Sequence, residues 1–579
     1  MGNTNKRLVI KLAGSAGQGI KTAGLIIAKA LKRAGYMTFG YTEYPSLIRG
    51  GHNVYQIEIY DEVRASVSLE TDILLALDQA SIDKHYQEMS ETGAVIYDEN
   101  AIKISDDIKA IFLKKNVALY PIKLMDEAKN AGGNILMKNT VALGCLWRVL
   151  KLELEQIEPL IKETYNKSQE MIDTNIKCLE AGFNSIKLQN DFALNLTAKD
   201  EFKNNIFITG NEAIALGAIA AGVRLYVSYP MTPASSIIGY LSEEGPKYGM
   251  IVKQAEDEIT TAIMAIGAAH GGTRVMCGTS GGGFDLMTEA MSLSGITEIP
   301  FVCVIAQRPG PGTGAPTWTA QGDLNLAIFA GHGEYPRIVI ALSDATDAFY
   351  LTGTALNMAE KYQTPVLILT DKYLAESSFS IPRFDSSKVV IDRGKIKKEG
   401  DDTSLRYEYT EDGVSPRWFP GDKIATFLAS SDEHTEKGYS TEEADELEKM
   451  LKKRMTKEVT ILNDLPEPEI IGDSKTSDLS IISWGSNKQV IKDVVSELEK
   501  NGKTISVLHL TYLWPLKTEK LSQFIKDAKK SILIEQNVTG QLAGIIKRQT
   551  GLDVSQKILK ANGRPFAFDE LKTIISDLI

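Results

Sequence analysis

Residues 228–236 read Ser-Tyr-Pro-Met-Thr-Pro-Ala-Ser-Ser, so Pro230 and Pro233 fix the backbone on either side of Thr232. The stretch closes a strand-like run, and the C-terminal ends of strands are where doubly wound sheets bind ligands. Thr232 can offer its hydroxyl to a carboxylate, while Ala234 to Ser236 open a helix with free N–H donors. The alternative for Thr232 is a helix N-cap. Further on, Glu256, Asp257 and Glu258 precede a run rich in small residues. These acids can simply complement a helix macrodipole. Helical spacing, however, sets Glu258 on one stripe with Ala262, Ala265 and Ala269, and a carboxyl packed there is expected to be desolvated, with a raised pKa suited to proton handling. Glu256 points elsewhere. Thr279-Ser280-Gly281-Gly282-Gly283 is predicted to form a glycine loop at the end of another strand, and Gln307-Arg308-Pro309-Gly310 follows the next. Successive loops at one edge of a sheet build a cleft.

A second candidate lies near the start. Gly14-Ser15-Ala16-Gly17-Gln18-Gly19 separates a strand-like run (8–13) from a helical pattern (21–33) and can cradle a phosphate. A dinucleotide fingerprint needs a third glycine where this chain has Thr22, although Glu43, after a second strand, imitates the ribose-binding acid. A nicotinamide site, a ligand-free structural turn and a site for some other phosphate-bearing ligand all remain open. Arg49-Gly50-Gly51-His52 adds a cationic loop and favours a phosphate-bearing ligand.

The elements needed to hold these groups recur as βα units. A chain of 579 residues exceeds one core and predicts roughly three or four domains. Strand-like runs at 72–77 and 94–97 continue the first segment to a helical region ending near Leu188, and the polar stretch 189–205 is expected to be a linker. Residues 206–210 are expected to open a second doubly wound sheet, whose runs at 302–306, 338–341 and 366–369 are apolar on both faces, as buried parallel strands are. From about 385 to 470 the chain turns charged and irregular, with a charged helix over 440–456, and is expected to be an excursion over the surface. The βα rhythm returns at 479–485, 506–510 and 531–535. The fold class is therefore α/β, with three doubly wound domains and one elaborate linker.

A formal net charge of -11 opposes binding to nucleic acid. No apolar run approaches the roughly 20 residues that span a bilayer, and Met1 leads into strand-like 8–10 without a signal-peptide plan, so a cytoplasmic protein is expected. Cys145, Cys178, Cys277 and Cys303 are too scattered for a metal or iron-sulfur site, and Cys277 and Cys303, in strand-like runs, are expected to be structural.

Taken in order, these stretches resemble the 2-oxoacid:ferredoxin oxidoreductases, in the form that fuses gamma and alpha parts in one chain. The glycine turn with Arg49 to His52 resembles the gamma part, and Tyr229 to Ser236 resembles the alpha-part Y-P-I-T-P-S signature with Met231 for isoleucine. Gln321-Gly322-Asp323, Ser415-Pro416-Arg417, Asp432-Glu433-His434 and Glu535-Gln536-Asn537 extend the likeness almost end to end. The resemblance implies a gamma domain over 1–190, a thiamine pyrimidine-binding domain over 205–385, a charged connecting region over 386–472 and a transketolase C-terminal-like domain over 473–579. It implies oxidative decarboxylation of a 2-oxoacid to acyl-coenzyme A, with electrons passed to ferredoxin. Glu258 then stands at the catalytic position beside the thiamine aminopyrimidine, promoting loss of the thiazolium proton. Thr232 binds the substrate carboxylate, Tyr229, Pro230, Ser280 and Gly281 contact thiamine diphosphate, and Gly14, Gly17, Gly19 and Arg49 hold a phosphate-bearing ligand such as coenzyme A. The chain has no G-D-G motif for Mg²⁺ and no cluster cysteines, so the resemblance implies a beta subunit bringing Mg²⁺ and a [4Fe-4S] cluster, in a dimer of gamma-alpha/beta pairs.

One departure stands out. Many relatives carry a basic residue after Pro-Thr, where this chain has Pro316-Thr317-Trp318. Trp318 is either a wall for the substrate side chain or a packing residue of its loop, and Arg308 is the alternative source of charge. Pyruvate, 2-oxoglutarate, branched-chain and aromatic 2-oxoacids all stay open. The competing readings are a nicotinamide-dependent dehydrogenase and a non-catalytic partner subunit.

Overall fold

The computed structural model describes residues 7–47, 50–189, 194–401, 404–421 and 426–579, arranged around three sheets. The first sheet has eight strands, in the order Ala118–Ile122, Met89–Asp98, Thr71–Ala76, Arg7–Ser15, His52–Tyr60, Met37–Glu43, Ser378–Ile381 and Ile206–Thr209. Its first four strands run parallel and the rest pair antiparallel. The helix Ile20–Ala34 covers one face through Ile20, Ala23, Ile27 and Leu31, a spacing that lays one stripe on the sheet.

This arrangement corrects the expectation for residues 206–210. Ile206–Thr209 does not open the second sheet. It pairs with Ser378–Ile381, which in turn pairs with Met37–Glu43, so both ends of the second segment are sewn onto the edge of the first sheet. Four-residue strands of this kind carry no mark of their partner, because strand preference reflects the surface a strand meets.

The second sheet has seven strands, in the order Tyr512–Trp514, Ile338–Ala341, Pro365–Asp371, Phe301–Gln307, Val275–Ser280, Leu225–Ser228 and Ile251–Gln254. All pairings are parallel except that of Tyr512–Trp514, which the last segment contributes. Phe301–Gln307, Ile338–Ala341 and Pro365–Asp371 are buried at every position, as their two-faced apolar character predicts. The third sheet has five strands built around Leu479–Trp484, Ile505–Leu510 and Ser531–Glu535.

The charged connecting region is more than a surface excursion. Its helix runs over Ala444–Asp464, later and longer than the charge pattern suggests, and buries Met450, Lys453, Lys457 and Ile461. Lys453 and Lys457 both reach the fully buried Glu298, and Tyr407 and Trp418 are buried as well. Long lysine stems cover apolar surface while their ammonium groups meet a buried anion, which a hydropathy reading scores as exposed charge.

Candidate active site

The C-terminal ends of Leu225–Ser228, Val275–Ser280 and Phe301–Gln307 lie side by side in the second sheet, so the segments that follow them gather at one edge, where such sheets place a ligand cleft. After the first of these strands, the turn at 229–234 is held by Asn211, whose Nδ2 donates to the Pro233 carbonyl and to Ser236 Oγ, both at 2.7 Å. The following helix, Ser235–Glu244, has Ala234 at its N-cap and no side-chain cap, so Thr232 is not spent on capping. The Thr232 carbonyl accepts from Arg308 Nη1 at 2.6 Å, which ties the first loop to the third.

Asp257 caps the helix Glu258–His270, its carboxylate accepting from the Thr260 amide at 2.7 Å. Glu258, the first helical residue, is only 4% exposed and shares the buried face with Ala262, Ala265 and Ala269, as the spacing predicts. Its Oε1 stands against Gly283, where a side chain would collide with both that oxygen and Thr279 Oγ1. Glu258 and Thr279 thus meet across a position that only glycine can fill.

The glycine loop expected at 279–283 is not a loop. Ser280 is extended and the chain passes straight into the helix Gly281–Asp285. Without side chains on 281–283 the first turn can lie beneath neighbouring carboxylates, which a loop reading of glycine does not anticipate. A Cβ at Gly281 would strike the Asp323 carboxylate. Burial pushes the Asp323 carboxyl up to about 6, against the pull of Arg308. Burial likewise lowers the Arg308 pKa, with Asp323 opposing it.

Three polar atoms around this cleft, Thr279 Oγ1, Ser280 Oγ and Asp323 Oδ2, are buried without a hydrogen-bond partner. A buried polar atom without a partner is open to a polar ligand, and these three lie on residues that adjoin the first turn of the helix Gly281–Asp285. The set of two carboxyls, Glu258 and Asp323, two hydroxyls and glycine-lined walls fits a flat ring that carries both donors and acceptors, such as an aminopyrimidine.

Asp323 was legible only as part of a signature. The structure shows what holds it: its amide donates to Gln307 Oε1 at 3.0 Å, and its neighbour Gln321 is gripped by the last domain. The Gln321 amide donates to the Gln536 carbonyl at 2.7 Å, Asn487 Nδ2 donates to Gln321 Oε1 at 2.8 Å, and Asn537 Nδ2 donates to the Gln321 carbonyl at 3.0 Å. Two stretches far apart in sequence, 321–323 and 535–537, are therefore one buried network.

The remaining predicted residues lie elsewhere. Trp318 stacks against Arg564 of the last domain. Both line a cavity of about 960 Å³ between the three domains, whose wall also carries Lys11, His52, His85 and Lys560. Gly14 lies next to the end of the strand Arg7–Ser15, where a Cβ would meet the Gln18 side chain, while Gly17 and Gly19 take left-handed φ and line a separate cavity of about 400 Å³ with Thr22, Lys138 and Asn139. The Ala16 amide donates to the Gly51 carbonyl at 3.0 Å, so the glycine turn and Gly51-His52 are adjacent, as expected. Arg49 lies outside the described residues. Glu43 does not complete a dinucleotide site, because the strand His52–Tyr60 separates Met37–Glu43 from the strand that bears the glycine turn. Cys277 and Cys303 are buried and pair in register on neighbouring strands.

The fold is α/β, with a buried carboxyl at the strand ends of its second sheet and a separate cavity where three domains meet. Comparison with known proteins narrows this. Residues 9–185 match the family model for pyruvate ferredoxin/flavodoxin oxidoreductase. Residues 216–453 match that for the thiamine diphosphate-binding part of pyruvate flavodoxin/ferredoxin oxidoreductase, and 477–571 that for core domain II of pyruvate:ferredoxin oxidoreductase. The chain is 33% identical to the 2-oxoacid:ferredoxin oxidoreductase subunit alpha of a Sulfolobus species, over 99% of this chain and 97% of that one. It is also 33% identical to a subunit alpha of Sulfurisphaera tokodaii, over 99% and 98%. In structure it is similar to the 2-oxoglutarate:ferredoxin oxidoreductase of Magnetococcus marinus, solved with 2-oxoglutarate, coenzyme A and succinyl-CoA bound, with a TM-score of 0.93 and 31% identity over 99% of this chain and 100% of that one. The chain belongs to the 2-oxoacid:ferredoxin oxidoreductases, among their alpha subunits.

Proposed function

We propose that this chain supplies the pyrimidine half of a thiamine diphosphate site and, with a beta subunit, oxidatively decarboxylates a 2-oxoacid to acyl-coenzyme A, passing electrons to ferredoxin. The observation that carries this is the buried Glu258 facing Thr279 across Gly283, beside three orphaned polar atoms. Thiamine diphosphate, when bound, supplies the carbon nucleophile and the electron sink. Glu258 would hold a proton at a ring nitrogen of the aminopyrimidine, and Thr279 and Ser280 would satisfy its exocyclic and remaining polar atoms. Tyr229 and Pro230 would hold one side of the ring, and Gly281 would leave room for it near the backbone. Thr232 and Arg308 receive the substrate carboxylate, Arg308 being already oriented by its bond to the Thr232 carbonyl.

The partner subunit would bring Mg²⁺, the diphosphate site and a [4Fe-4S] cluster. An exposed apolar face beside the cleft, made of Tyr229, Ile259, Ile263, Met264 and Leu286, supports docking of that partner over Glu258. Coenzyme A would use the three-domain cavity, whose wall carries Lys84 and Lys115 as well as Lys11 and Lys560, which pair with Glu88 and Glu570, with the turn at Gly14, Gly17 and Gly19 adjoining. The domain limits at 1–190, 205–385, 386–472 and 473–579, a dimer of gamma-alpha/beta pairs and a cytoplasmic setting complete the proposal. Among the described residues no helix is long and apolar enough to cross a membrane.

The test is viologen reduction by the co-purified complex with a panel of 2-oxoacids. Reduction that requires both coenzyme A and thiamine diphosphate is expected. An intact, cluster-loaded complex that reduces nothing would overturn the proposal.

A further inference from the structure

Trp318 and Arg564 come from different domains and meet face to face, the guanidinium carbon 3.1 Å from the centre of the indole ring. The turn that carries Arg564 is tied on both sides. The Thr319 amide donates to the Gly563 carbonyl at 3.1 Å, and Gly563, at a φ of 77°, lies so close that a Cβ would sit 3.0 Å from Trp318 Cβ. The Arg564 amide donates to the Asn562 side chain at 3.0 Å, and Lys560 Nζ donates to the Pro565 carbonyl at 2.8 Å. These bonds fix the backbone from which the Arg564 side chain leaves.

That side chain is an under-used cation. Among the described residues the Arg564 side chain has one ion pair, to Glu43 at 3.8 Å, too long for a hydrogen bond, and it is 43% exposed. An aromatic face holds a guanidinium flat without neutralising it, leaving the fork of N–H donors at its edge free for a carboxylate or phosphate. Both residues line the three-domain cavity. They are also one corner away from the cleft: a Cβ at Gly563 would lie 3.8 Å from Pro309 Cγ, and the preceding residue, Arg308, donates to the Thr232 carbonyl.

We infer that Arg564, held flat on Trp318, is a substrate-recognition residue whose free edge binds an oxyanion of a substrate entering this cavity, exchanging its loose contact with Glu43 for a bidentate one. The inference rests on the reaction proposed above. Within that reaction the same chemistry has two sources, the second carboxylate of a dicarboxylic 2-oxoacid and a phosphate of coenzyme A.

The complex with the partner subunit, wild type and carrying Arg564→Gln or Arg564→Lys, is assayed with 2-oxoglutarate, with pyruvate and over a range of coenzyme A. Loss of a charged hydrogen-bonding pair is expected to raise one KM about tenfold or more in Arg564→Gln while kcat changes less than about threefold. A rise for 2-oxoglutarate but not pyruvate identifies the carboxylate, and a rise for coenzyme A identifies the phosphate. Arg564→Lys, which keeps the charge but not the fork, is expected to recover part of the loss. Calorimetric binding of 2-oxoglutarate and of coenzyme A to the resting complex reports the same ranking without turnover. Unchanged KM and Kd for both ligands in an intact Arg564→Gln complex would overturn the inference. A wild-type complex that reduces nothing would instead overturn the reaction, and the binding measurements alone would then judge Arg564.

Discussion

Two glutamates of the second domain, Glu258 and Glu298, are both buried and yet are opposites in their surroundings. Glu298 meets Lys453 and Lys457 from the connecting helix. Burial pushes its carboxyl up, but these lysines, with Arg406, hold it well below the usual glutamate range. No ion pair holds Glu258 among the described residues, and its neighbour Thr279 keeps an unpartnered hydroxyl. A buried acid with its own cations is structural, because its charge is already compensated. One without them, beside orphaned polar atoms, is built for something that comes from outside.

The largest effect expected from this contrast is on turnover. Glu258→Gln keeps the shape of the side chain but removes the acid, and is expected to lower kcat of the complex by about 10²- to 10⁴-fold. Its melting temperature should stay close to that of the wild type, since no ion pair is lost. A marked drop in melting temperature with activity retained would reverse the roles assigned to the two glutamates.

Glu298→Gln is expected to do the converse. It leaves two lysines buried without their anion, at a cost of about 3–5 kcal/mol, while activity per folded complex is preserved. Replacing Lys453 and Lys457 with methionine in the same chain should restore much of the loss. The pH dependence has a definite sign. The Glu298 carboxyl is depressed in the folded chain, so its contribution is complete above the ordinary glutamate value near 4.5 and declines as pH falls below it. The stability gap between wild type and Glu298→Gln, measured by denaturant titration, should therefore narrow on acidification.

Asp323 lies between these extremes, with one nearby cation, Arg308, and one orphaned oxygen. Its carboxyl, pushed up to about 6 by burial, takes up a proton as pH falls through that value and then ceases to repel an incoming carboxylate. The wild-type KM for the 2-oxoacid should fall by about threefold to tenfold from pH 7 to pH 5, whereas Asp323→Asn should hold the lower KM across this range. Parallel profiles for the two proteins would remove Asp323 from the site.

Much of this molecule is written in local pattern. The all-apolar runs at 302–306, 338–341 and 366–369 mark the centre of a parallel sheet, since no other position tolerates two buried faces. The stripe of Glu258 with Ala262, Ala265 and Ala269 foretells that the acid faces inward, because helical periodicity is a property of the chain itself. The order of the motifs likewise points to the family.

Other features were decided only by tertiary structure. The strands Ser378–Ile381 and Ile206–Thr209 join the first sheet, and four-residue runs cannot encode that choice. The stretches 321–323 and 535–537 are separate signatures in the sequence and one hydrogen-bonded network in the fold. Trp318 appears in the sequence as the loss of a positive charge, whereas the structure sets Arg564 against it from another domain. Periodicity and composition determine which face of an element is buried. Which charges and rings meet there depends on how separate domains dock, and no local pattern carries that.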